Sequence, residues 1–125
     1  MGQFQLQAAI SAVHAEAQSL ETTRWPEIVG LYDLLLQLQP NPLISLNRAV
    51  AVSFARSVEA AMIELSCLRT ELEGYQPFHA ALADCLRRSG LTSEAKMEYD
   101  RAIELSGNPR ERAYLARRAS QMGQP

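Results

Sequence analysis

Residues 76–109 read QPFHAALADCLRRSGLTSEAKMEYDRAIELSGNP, and their spacing decides the fold. Pro77 opens a helix that runs to about Ser89, and Gly90 stops it. Thr92 is placed to cap a second helix, which carries Ala95, Tyr99, Ala102 and Ile103 inward and ends at Gly107. Small side chains at Ala83, Ala95 and Ala102 let the two axes approach closely, while Leu82, Leu86 and Tyr99 fill the space beside them. A helix pair this short cannot bury its apolar face alone, so it calls for neighbours built the same way.

The same punctuation recurs along the rest of the chain. Asn108, Pro109 and Glu111 supply a cap, a first-turn proline and a capping-box acceptor for a last helix to about Gln121. Upstream, Ser57 followed by Glu59 starts a helix that reaches about Leu72 and is closed by Gly74. Asn41 and Pro42 start another that runs to about Phe54. A stripe of Trp25, Ile28, Leu31, Tyr32, Leu35 and Leu38 marks a helix with Pro26 in its first turn, ended by Pro40. Leu6, Ile10, Val13 and Ala17 mark a first helix from about Gln3 to Gln18. No stretch alternates with a period of two, so the expectation is an all-α chain of seven helices.

The window 76–109 has the length of one tetratricopeptide repeat (TPR) and its pattern of small and large residues, with His79 in place of the usual Trp and Gly107 in place of Pro. One period earlier, residues 42–75 place Ala49, Val52, Ala61, Leu65 and Leu68 correspondingly, with Arg56 at the turn glycine. The first two helices form a third pair with a longer connection. The expected architecture is TPR-like: about three stacked helix pairs in a single domain and a C-terminal helix as cap, because an end repeat must turn one polar face to water. Ala113, Leu115, Ala119 and Met122 would cover the last pair and leave Arg110, Arg112, Arg117 and Arg118 largely in solvent.

With 125 residues, 47% hydrophobic and 21% charged, the chain fits one globular domain and not a disordered one. A net charge of −2 argues against a module that holds nucleic acid across a whole face. No apolar run is long enough to span a membrane and the N-terminus lacks a signal-peptide pattern, which predicts a cytoplasmic protein. Cys67 and Cys85 stand apart from each other and from any ligand cluster, so both are expected to be reduced, buried thiols with no metal site.

The stretch Gln3 to Ala17, QFQLQAAISAVHAEA, is more distinctive than a generic repeat. Together with WPEIVGLYD at 25–33, LNRAVAV at 46–52 and HAALAD at 79–84, it closely resembles the TPR-like C-terminal extension of a group of bacterial ECF (extracytoplasmic-function) RNA polymerase sigma factors. The resemblance covers essentially the whole chain. Members of that group usually carry Pro-Tyr where this chain has Gln3-Phe4 and an acidic residue where it has Arg24; the second change leaves Thr23 to cap the Trp25 helix. The resemblance implies a C-terminal piece of a longer polypeptide, with Met1 not its natural start. It also implies a regulatory, protein-contacting role in transcription initiation, with the upstream sigma domains, RNA polymerase or a regulator as partner and DNA reached only through the parent.

Candidate contact residues follow, each with a plainer reading. Gln7, Ser11, His14 and Gln18 form an uncharged polar stripe placed opposite the Leu6 face, suited to docking on upstream sigma domains or serving only as surface or capping groups. Asn47 and Arg48 resemble the group's paired polar positions and could hold a peptide carboxylate or backbone, or form an internal ion pair or cap. His79 could point into the same groove; alone, it is not a metal site. Trp25 reads as a packing anchor, and the arginines of the last helix as solvated groups offsetting its dipole. No phosphate loop, nucleophile elbow or HExxH is present, so no enzyme and no cofactor are expected. The alternative to the sigma-factor reading is a free-standing TPR adaptor that binds a peptide segment.

Overall fold

The computed structural model describes residues 2–16 and 23–121. They form seven helices: α1 (Gln3–Glu16), α2 (Trp25–Leu38), α3 (Pro42–Ala55), α4 (Val58–Leu72), α5 (Gln76–Arg88), α6 (Thr92–Leu105) and α7 (Pro109–Ser120), with no strand among the described residues. The chain divides into two compact units, Met1–Ala61 and Met62–Pro125, and α4 runs from one into the other.

In the first unit α2 packs against both α1 and α3. Its core is Leu6, Ile10 and Val13 of α1, Ile28, Val29 and Leu35 of α2, and Ile44, Leu46, Ala49 and Val52 of α3. The predicted Ala17 and Gln18 lie outside the described residues. Asn41 caps α3 as expected, its Oδ1 accepting from the Leu43 N–H at 2.8 Å, and Ser57 Oγ accepts from the Ala60 N–H at 3.0 Å to cap α4. The cap position of α2 falls on Arg24, whose side chain makes no capping hydrogen bond and pairs with Glu27 at 3.2 Å, while Thr23 contributes its backbone carbonyl to Trp25 N–H. Pro26 explains why this is tolerated: it removes one of the N–H groups a cap would have served. Arg56 stands at the α3–α4 turn with φ of −127°, a conformation that requires no glycine.

The second unit is built on α5 against α6, with α7 packed on α6. Ala83, Ala95 and Ala102 are wholly buried, and Leu82, Leu86 and Tyr99 are buried beside them, as their spacing requires. Gly90 ends α5 at φ 86°; its N–H donates to Arg87 O, and the Leu91 N–H donates to Leu86 O. That six-to-one closure is a Schellman motif. It leaves one residue before α6, so Leu91 occupies the cap and Thr92 is already helical, its hydroxyl donating to Gly90 O at 3.4 Å. Thr92 is therefore not the cap that its residue type suggested.

Asn108 caps α7, its Oδ1 accepting from the N–H groups of Arg110 (2.9 Å) and Glu111 (3.3 Å). The capping-box carboxylate works through an intermediary. Ser106 Oγ donates to Glu111 Oε1 at 2.7 Å and accepts from Asn108 N–H at 3.3 Å. Leu115 and Ala119 are buried under α7, whereas Ala113 is exposed, because two residues along a helix is a 200° rotation; Met122 lies outside the described residues. Arg110, Arg112 and Arg117 are exposed, and Arg118 is half-buried over the Tyr114 ring. The same rotation corrects the cysteines: Cys85 is buried, but Cys67, two residues beyond buried Leu65, is exposed.

Candidate protein-interaction site

On α1, Gln7 follows buried Leu6 and Ser11 follows buried Ile10, so each is turned 100° from the core stripe. They border the apolar face instead of opposing it. On α3, Asn47 stands in the same relation to buried Leu46. On α2, Tyr32 is half-buried one turn before Leu35. These positions meet in a cleft of about 270 Å³ lined by Gln7, Ile10, Ser11, Tyr32, Leu35, Ile44 and Asn47. Ile10, Leu35 and Ile44 make an apolar floor, and the polar groups of the lining are two amides, a hydroxyl and a phenol.

Among the described residues none of these four side chains is committed to a hydrogen bond. Burial pushes the Tyr32 phenol above its ordinary value, so its hydroxyl keeps its proton and stays a donor. The lining carries no carboxylate, imidazole or cationic side chain, and each amide both donates and accepts. A peptide backbone, with one donor and one acceptor per residue and one side chain in two facing inward, is the ligand chemistry such a wall matches.

Three of the residues singled out from sequence meet here: Gln7, Ser11 and Asn47. Tyr32 was read only as part of the apolar stripe of α2, and its hydroxyl was missed. Gln18 lies outside the described residues. His14 turns to another task, its ring meeting the edge of Trp25 at 5.3 Å, while Trp25 stacks on Phe54 at 4.6 Å. Trp25 is thus a packing anchor that ties α1 and α3 to the start of α2.

Arg48 does not present a bare charge to the cleft. Its Nε donates to Asp33 Oδ1 at 2.6 Å, an internal pair between α3 and α2, and its side chain is only 17% exposed. The internal ion pair is the reading the structure supports for Arg48. His79 is corrected more strongly, being 1% exposed on α5. Its Nε2–H donates to Glu73 O at 2.6 Å, and its Nδ1 faces Glu98 Oε2 at 2.7 Å. Arg69 Nη2 donates to the other oxygen of Glu98 at 2.7 Å and Nη1 to Glu73 at 3.3 Å. Burial alone would push the Glu98 carboxyl up, but the hydrogen bonds from His79 and Arg69, with their charges, bring it below the ordinary value. His79 is a structural pin joining α5, α6 and the end of α4. Among the described residues, no cluster of acidic, histidine or cysteine side chains could hold a metal ion, and no helix is long and apolar enough to cross a membrane.

No protein-family model matches the chain. It is 45% identical over 114 residues to an uncharacterized protein of Rhizobium meliloti (strain 1021), a match covering 91% of this chain and 27% of that protein. The chain therefore spans about a quarter of the length of the curated relative it matches. Among solved structures, the first TPR of Spaghetti (RPAP3) bound to an HSP90 peptide, SRMEEVD, superposes with a TM-score of 0.72 at 20% identity, covering 95% of this chain and 90% of that one. The fold is TPR-like. The first TPR domain of human RPAP3 (TM-score 0.71, 20% identity, 96% and 93% covered) and the Sgt2 TPR domain of Aspergillus fumigatus (0.70, 22%, 98% and 84%) give the same architecture. At these identities the TPR-like likeness is one of backbone, reached with different side chains.

Proposed function

We propose that this TPR-like chain is a non-enzymatic protein-interaction module that takes an extended peptide segment of its partner into the α1–α3 cleft. The observation that carries the reading is the set of four uncommitted hydrogen-bonding side chains, Gln7, Ser11, Tyr32 and Asn47, over an apolar floor. In the same proposal the module is the C-terminal regulatory domain of a cytoplasmic ECF-type sigma factor. It supports transcription initiation through contact with the upstream sigma domains, RNA polymerase or a regulator, and DNA is engaged only by the parent. The resemblance running from Gln3 to the last repeat supports that context. The relative in Rhizobium meliloti, of which the matched stretch is 27%, supports only the placement of the module within a longer polypeptide. A TPR-like neighbour holding a peptide supports the mode of binding.

The experiment is reconstituted transcription with the parent polypeptide carrying Gln7→Ala and Asn47→Ala together, beside circular dichroism of the isolated module. Reduced transcript with an unchanged spectrum is expected. Full transcript from the double variant would refute the sigma-factor role of the cleft. A free-standing adaptor would instead bind its peptide with no sigma domains in the same polypeptide.

A further inference from the structure

The second unit carries a groove unlike the cleft on α1–α3. Met62, Ser66 and Arg69 fall at i, i+4 and i+7 along α4, so they form one stripe, and Leu91, Glu94, Met97 and Glu98 line the facing edge from the start of α6. Leu82 and Leu86 of α5 make the floor between them. The space enclosed is about 380 Å³. Its lips are apolar and in water: Met97 is 72% exposed and Leu91 44%. Methionine side chains are unbranched and polarizable, and re-pack readily around an apolar guest.

The charges on the groove do not cancel. Arg69 and Glu98 neutralise each other at 2.7 Å, and Arg69 is further held by Glu73 and by its place over the Phe78 ring. Glu94 has no ion-pair partner among the described residues, so the groove is an apolar trough with one net negative charge on its lip. Lining residues that recur at helical spacing on α4 and on α6, with a floor between them, suit a rod about one helix wide, held by i, i+3, i+4 anchors. An extended strand, which presents side chains alternately to both sides, would use half of them.

We propose that this groove docks an amphipathic helix of a partner protein. The apolar face of that helix enters against Leu82, Leu86, Met62 and Met97, and a lysine or arginine at the border of the face meets Glu94. The site differs in place and in ligand chemistry from the α1–α3 cleft and stands whether or not the cleft reading holds.

The test uses the full chain with methyl-labelled methionine, and the Met62 and Met97 resonances as reporters. The probe is a synthetic leucine–glutamine peptide of amphipathic helical pattern with one lysine at the edge of its apolar face. A twin has glutamate at that place, and a third has a central proline. Saturable shifts of both methyls with the lysine peptide are expected, with binding about tenfold weaker for the glutamate twin, the ratio that gain and loss of one rim ion pair produce. Glu94→Gln should remove that preference, and Asn47→Ala should leave it intact. Unmoved methyls, equal affinity for the lysine and glutamate peptides, or undiminished binding of the proline peptide would each overturn the proposal.

Discussion

Replacing His79 by alanine should destabilise the second unit more than any exposed substitution in the chain. The side chain is almost completely buried and makes two hydrogen bonds, one to the Glu98 carboxylate and one to the Glu73 carbonyl. A bond to a charged group contributes about 1.5–3 kcal/mol and a neutral one about 1 kcal/mol. Vacating the ring also leaves a void beside Phe78, whose ring meets that of His79 at 5.1 Å. Two terms work the other way: Glu98 stays paired with Arg69, and its side chain is 16% exposed, so water can replace part of what is lost. The expected net loss is about 3 kcal/mol, or a fall in Tm of roughly 10 °C for a domain of this size. Thermal and urea unfolding followed by circular dichroism measure it. A double-mutant cycle with Glu98→Gln should return a coupling of about 1–3 kcal/mol. A loss below about 1 kcal/mol, or strictly additive single changes, would show that the pin between α5 and α6 does not hold the unit together.

Ala95→Leu should overpack the α5–α6 crossing by about 1–3 kcal/mol and lower the urea midpoint; an unchanged midpoint would place the crossing elsewhere. Gly90→Ala should cost about 1–2 kcal/mol, because φ of 86° suits glycine alone, and melting would show it. Glu98 titrates below its ordinary value in the folded chain, so its contribution is complete above the unfolded value of about 4.5 and is lost as pH falls through the folded one. Acid unfolding of Glu98→Gln should accordingly be the flatter of the two curves as pH falls below about 4.5.

What could be read from sequence, and what could not, divides by the range of the interaction. Ala83, Ala95 and Ala102 announce close helix packing through their spacing alone, and Asn41, Ser57 and Asn108 announce caps because the N–H groups they serve are two or three residues away. Thr92 misleads, since the Schellman closure at Gly90 shifts the cap to Leu91, a competition between neighbours that residue type does not reveal. Arg48 with Asp33 and His79 with Glu98 are pairs made across helices, 15 and 19 residues apart. Those partners depend on which faces meet, so each residue looked available when it was already engaged. Gln7, Ser11 and Asn47 were legible as uncharged polar positions beside an apolar stripe. Tyr32 was not, because half-buried tyrosines on a core stripe look the same whether or not the hydroxyl has a partner. Cys67 shows the reverse, an isolated thiol taken as core that lies a full 200° from its buried neighbour.

The side-chain amides of the cleft offer the most direct measurement of its role. In a spectrum of the nitrogen-15-labelled chain, the NH₂ groups of Gln7 and Asn47 report the cleft, while those of Asn41 and Asn108, which cap helices, serve as internal controls. On the proposed sigma-factor reading, adding upstream sigma domains as a separate chain should move the Gln7 and Asn47 resonances saturably and leave Asn41 and Asn108 in place. Binding that leaves Gln7 and Asn47 unmoved at saturation, or that shifts only the residues of α7, would contradict the assignment of the cleft as the contact surface.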